Sequence, residues 1–153
     1  MPSRRSAIAM SDAERRAFLS SAATLIVVSN GRNGVPHPMP MWFCVDADDC
    51  LYCTTFARSQ KVRNFERDSR AALLVESGTA YGELKGVVIE AETQILRDPE
   101  TVLDTLIRIG SRGERITQAQ RESMRETAAK RVVLKFTPKK ILSWNHEKLG
   151  GRY

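Results

Sequence analysis

Five residues within eight positions carry the groups that hold a phosphate: Thr54, Thr55, Arg58, Ser59 and Lys61. Three hydroxyls donate short hydrogen bonds, and a guanidinium and an ammonium supply charge. If a helix begins at this point, its first-turn N–H groups add a positive end. The combination is a receptor for a dianionic phosphate, in which each charge-assisted hydrogen bond contributes about 1.5–3 kcal/mol. The stretch also reads as a basic surface helix, with Arg58, Lys61, Arg63 and Arg67 simply solvated. The position of the charges, gathered at the start of the helix, favours the receptor.

The elements that must present these groups follow from the flanking pattern. Cys50–Phe56, rich in aromatic residues and Thr, suits a half-buried strand, and Ala71–Val75 is an apolar run of strand length. Between them Ser59 is placed to N-cap a helix over Gln60–Arg67, with Val62 and Phe65 three apart on one face. A helix this short forms only by packing on the strands beside it.

A second informative stretch is Val35–Asp46, VPHPMPMWFCVD. Pro36, Pro38 and Pro40 alternate, so all three missing N–H groups lie on one side of a strand. That describes an edge strand protected from aggregation. It equally describes a rigid backbone edge offering polar groups around Met39, Met41 and Trp42 to a planar heterocycle.

In the remaining chain, Ser11 with Glu14 has capping-box spacing for a helix through Leu19. Ala22–Ser29 is a strand, and Asn30–Gly34 a hairpin turn. Ala80–Leu96 alternates like a strand, with Gly82 and Gly86 marking bends. Asp98 and Pro99 open an apolar-faced helix, Thr117 caps a polar helix to about Lys130, and Arg131–Trp144 is a strand interrupted at Pro138. Six strands joined mostly by turns predict a small antiparallel barrel with flanking helices, mainly β within the α+β class. With no GxGxxG and no GxxxxGK[ST], neither a dinucleotide fold nor a P-loop applies.

At 153 residues the chain is of single-domain size. Residues 1–10 are expected to be disordered and 11–153 to form the domain. No apolar run reaches the roughly 18 residues of a membrane span, and no signal segment is seen, which predicts a cytoplasmic protein. The net charge of +6 resides wholly in Arg121–Tyr153. Without a nucleic-acid reading module or interleaved aromatics, an anionic small ligand fits this charge better than nucleic acid or membrane. Cys44, Cys50 and Cys53 read as reduced, buried thiols, since residues three apart on a strand face opposite ways and cannot share a zinc. Neither His37 nor His146 has a partner set for nucleophilic or acid–base catalysis, so no catalytic side chain is assigned.

The order of features resembles the pyridoxamine 5′-phosphate oxidase-like family of FMN-binding split β-barrels, which includes reductases using the deazaflavin F420. The matching pieces are Glu14–Leu19, Gly34–Phe43, Leu51–Thr55, Ser59–Phe65 and the ending Ser143–Gly151. The resemblance implies a six-stranded Greek-key split barrel and a homodimer with cofactor sites at the subunit interface. Pro40, Met41 and Trp42 would lie along the ring system and Thr54 and Thr55 would face the ribityl-phosphate. Arg58, Ser59, Gln60 and Lys61 would bind the phosphate, supported by Asn64. Tyr81 and Trp144 of the second subunit would close the site. The Arg-rich ending of true pyridoxamine phosphate oxidases is not found in Trp144–Tyr153. The implied function is hydride transfer between FMN, or alternatively F420, and a small conjugated substrate, with solvent or Tyr81 delivering any proton. The alternative is a non-catalytic module that holds a flavin or tetrapyrrole.

Overall fold

The computed structural model describes residues 3–151. Its strands are β1 (Thr24–Asn30), β2 (Pro36–Trp42), β3 (Cys44–Val45), β4 (Leu51–Phe56), β5 (Arg70–Ser77), β6 (Lys85–Leu96) and β7 (Arg131–Asn145). The helices are α1 (Arg4–Ile8), α2 (Asp12–Ser21), α3 (Gln60–Arg67), α4 (Pro99–Ser111), α5 (Gln118–Ser123) and α6 (Arg125–Ala129). The strands form one sheet in the order β2-β1-β5-β6-β7-β4-β3, with every pairing antiparallel. Its two end strands, β2 and β3, are separated in sequence by Phe43 alone. That covalent link obliges the sheet to curl until its ends meet, which makes it a split barrel.

The same link explains why seven strands replace the six read from sequence. One stretch of chain must pair with β1 at one end of the sheet and with β4 at the other, so it divides at Phe43, whose side chain is buried at the seam. Alternate residues fill the interior: Leu25 and Val27, Leu51 and Cys53, Leu73 and Val75, Val87 and Ile89, Val132, Leu134 and Phe136. Val133, between two interior residues, is buried from the other side with Val102 and Leu103 of α4 and Ala128 of α6. This two-sided cover accounts for the unbroken apolar run at the start of β7.

Local capping follows the sequence closely. Ser11 Oγ accepts the Glu14 N–H at 3.2 Å and Glu14 Oε2 accepts the Ser11 N–H at 2.6 Å, closing the capping box of α2. Asp98 accepts the Thr101 N–H at 2.9 Å ahead of Pro99 in α4. Three expectations change. Strand β7 is not interrupted at Pro138: Ala91 pairs with Pro138 and Glu90 with Lys140, so a bulge at Lys139 absorbs the missing donor. The polar helix after Thr117 divides at Met124, and only its second half, α6, buries a residue, Ala128. Residues 3–10, expected to be disordered, carry α1 and a buried Met10 whose N–H donates to Ser143 Oγ at 3.0 Å. Lys148 Nζ, in the turn that follows β7, also donates to the Ala9 carbonyl at 2.7 Å, so the two ends of the described chain are tied to each other. Residues 1 and 2 lie outside the described residues.

Candidate functional site

Helix α3 is positioned by its own inner face. Val62 and Phe65 are buried in the barrel core, and the Phe65 ring meets Phe136 edge-on with centroids 5.8 Å apart. Asn64 is fully buried: its Nδ2 donates to Ser29 Oγ on β1 at 2.9 Å, and its Oδ1 accepts from Gln60 Nε2 at 2.9 Å and from Arg67 Nη2 at 3.2 Å. Arg67 Nη2 also donates to the Asn30 carbonyl at 2.7 Å. One turn of helix is thereby fixed to the end of the first hairpin strand, which sets the direction of its N-terminus.

At that N-terminus Ser59 has the extended backbone of an N-cap, yet its hydroxyl makes no capping bond. It lies instead 3.4 Å from Thr55 Oγ1, which accepts a 3.0 Å hydrogen bond from Lys61 Nζ. Thr55, Ser59 and Lys61 thus converge, while the capping hydroxyl leaves the first-turn N–H groups untaken. Lys61 is only 7% exposed. Burial holds its ammonium below the usual lysine value, and the like charge of Arg131 pushes in the same direction. Among the described residues no carboxylate pairs with Arg58, Lys61 or Arg131. A buried cation whose protein partner is a neutral hydroxyl is costly unless an anion completes it.

The other sequence-assigned residues fall in four places. Thr54, adjacent to Thr55 on β4, is buried on the opposite face of the strand, opposite Val133. Pro40, Met41 and Trp42 end β2, with Trp42 72% exposed. Arg58 and Gln60 are exposed beside the cluster. Trp144 stands across from Gly86 and its indole covers that position so closely that a Cβ there would lie 2.1 Å from Cζ2. Next to it the Tyr81 and His146 rings pack at 4.6 Å, and His146 Nδ1 lies 2.8 Å from the Tyr81 carbonyl.

Sequence reasoning missed Arg131 and Ser29. Arg131 opens β7 opposite Phe56, with its guanidinium 4.5 Å from that ring, and only strand register brings it towards Lys61. Ser29 could have been flagged as a polar residue at an inward position of an apolar strand.

One further feature of the outer surface bears on the site. Register aligns Pro40, Ile26, Leu74, Val88 and Leu142 side by side across five strands, on the face opposite the barrel core. Pro38, Val28 and Ala72 form a second row beside it.

The curled antiparallel sheet, with α3 leaving the end of β4, defines a split barrel. The profile of the pyridoxamine 5′-phosphate oxidase family matches residues 11–145, and the chain belongs to that family. Among solved structures it is similar to the conserved hypothetical protein Rv2991 from Mycobacterium tuberculosis, with 31% identity and a TM-score of 0.91 over 99% of this chain and 95% of that one. It also resembles an F420 reductase, with 19% identity and a TM-score of 0.65 over 82% and 94% of the two chains. A third similar structure is HutZ, the heme storage protein from Vibrio cholerae, with 13% identity and a TM-score of 0.67 over 89% and 97%. The last two likenesses are of fold alone. No curated protein matches the sequence.

Proposed function

We propose that this chain is a flavin- or deazaflavin-dependent oxidoreductase. It would pass a hydride between FMN, or alternatively F420, anchored by its phosphate at a dimer interface and a small conjugated substrate. The observation that carries the reading is the buried Lys61 ammonium, hydrogen-bonded to Thr55 and with no carboxylate partner among the described residues. That donor set fits a phosphate ester: a point charge, two hydroxyls and the free N–H groups of a helix start. Lys61, Thr55 and Ser59 would hold the phosphate, Arg58 and Gln60 would flank it, and Asn64 keeps α3 in place. Pro40, Met41 and Trp42 would line the ring system, their strand edge left open by the prolines. When bound, such a cofactor supplies the two-electron chemistry itself, while the protein binds, orients and excludes water.

The homodimer rests on the uncovered apolar rows of the outer sheet face, of which Pro40 is a member. A second copy burying that face would bring another chain against β2, with Trp144 and Tyr81 on its rim closing the site. The F420 reductase and the heme storage protein show that the fold serves both redox and storage roles in other proteins.

The test is direct. Purified protein is loaded with FMN or F420, reduced, and mixed with a panel of conjugated acceptors under anaerobic conditions. Reoxidation accelerated by an acceptor supports the oxidoreductase. A tightly held cofactor that no acceptor reoxidises favours the storage module, and failure to retain either cofactor removes the reading.

A further inference from the structure

A cleft of about 540 Å³, with no α3 residue in its lining, opens between the end of α2, the β2–β3 corner and the end of α4. Leu19, Ala22, Trp42 and Phe43 give it apolar and aromatic walls, and Arg108 and Arg112 stand at its α4 side. Arg112 occupies the left-handed C-cap position of α4, with φ of 50°. The Arg108 guanidinium lies 5.7 Å from the centroid of the Tyr52 ring and makes a long 3.4 Å contact with the Val45 carbonyl.

Charge pairing in this helical region is uneven. Arg121 and Arg125 of α5 and α6 are saturated, Arg121 by Glu100 and Asp104 and Arg125 by Glu100 and Glu122. Arg108 and Arg112, which line the cleft, have no carboxylate partner among the described residues. Guanidinium forks beside apolar walls suit a planar molecule bearing an acid, since the fork matches carboxylate geometry and the walls take the flat body.

We infer that this cleft binds aromatic organic anions, and that they are the substrate class of the redox site proposed above. The second clause rests on that reading, because Trp42 belongs both to the cleft wall and to the strand assigned to the ring system. The first clause does not.

The probes are 2-naphthoate and its neutral counterpart 2-naphthylmethanol, followed by tryptophan emission in the intact protein with and without FMN. Arg108→Gln, Arg112→Gln and the double variant are compared with Arg108→Lys and Arg112→Lys, and thermal melts confirm folding. The expected result is that naphthoate binds more tightly than the alcohol. The double variant then loses about tenfold or more for naphthoate only, and lysine restores part of the loss. Equal naphthoate affinity in wild type and double variant, or no preference over the alcohol, overturns the assignment. FMN retained without naphthoate discrimination sinks the cleft alone. Arginine-dependent naphthoate binding in a protein that retains no FMN sinks the redox reading and leaves the cleft.

Discussion

Replacing Lys61 by methionine separates the phosphate site from the stability of the barrel. The two side chains have similar length, and the position is 7% exposed, so methionine fills the same space. In the absence of ligand the ammonium is a burden: burial lowers its pKa, and its hydrogen-bond partner is the neutral Thr55 hydroxyl at 3.0 Å. A lysine whose folded pKa lies below its unfolded value costs stability at every pH below the folded pKa. At neutral pH the methionine variant should therefore melt at the same temperature as the parent or higher. Cofactor binding moves the opposite way. Loss of one charge-assisted hydrogen bond of about 1.5–3 kcal/mol makes FMN bind about 10- to 150-fold more weakly. Riboflavin, identical but for the phosphate, should bind both proteins equally. Flavin fluorescence titration of the cofactor-free proteins with each ligand measures this, alongside melts by circular dichroism. If FMN affinity is unchanged, or FMN and riboflavin weaken together, Lys61 does not bind a phosphate and the reasoning fails.

FMN affinity should also be pH-dependent where riboflavin affinity is not. It falls as pH rises through the lowered pKa of Lys61, which loses its charge below the ordinary 10.5. It falls again below about pH 6 as the phosphate takes up its second proton. On the outer sheet face, Leu74→Glu should convert a dimer to a folded monomer in sedimentation equilibrium. The side chain is half-buried and central to the apolar row, so a charge there disrupts association more than folding. A variant still dimeric at the same concentration would place the interface elsewhere. Gly86→Ala puts a Cβ into the Trp144 indole, which must swing away, so stability should drop by about 1–3 kcal/mol in urea melts. Adding Trp144→Ala should recover much of that loss, and two independent, additive losses would contradict the contact.

The sequence was most legible where the signal is local. The bounds of α3, the capping box of α2, the Asp98 and Pro99 start of α4 and the first hairpin all follow from chemistry within five residues. The convergence of Thr55, Ser59 and Lys61 was equally legible, because a strand end, a short loop and one helical turn confine those groups whatever the remaining chain does. What was not legible depends on register. The division of one strand at Phe43 appears only once β2 and β3 are known to pair at opposite ends of the sheet. The bulge that carries β7 past Pro138 is set by β6, and Arg131 reaches the neighbourhood of Lys61 through its pairing with Phe56. The helix Arg4–Ile8 lay within the stretch expected to be disordered, because the anchors beside it, Ser143 and Lys148, lie at the other end of the chain.

The prolines of β2 connect these observations. Pro36, Pro38 and Pro40 pair with Asn30, Val28 and Ile26 of β1, so their ring nitrogens face away from β1 towards the free edge, where no N–H is on offer. A neighbouring strand cannot add there, and the barrel stays split on the side where α3 begins. The same residues put three apolar rings on the outer face, in line with Val28, Ile26 and the rows beyond them. One device therefore leaves the edge open where the ligand is proposed to sit and builds the apolar surface proposed to meet a second copy. If each slot is completed by the other chain, ligand binding and association are linked in free energy, and whatever strengthens one strengthens the other by the same factor.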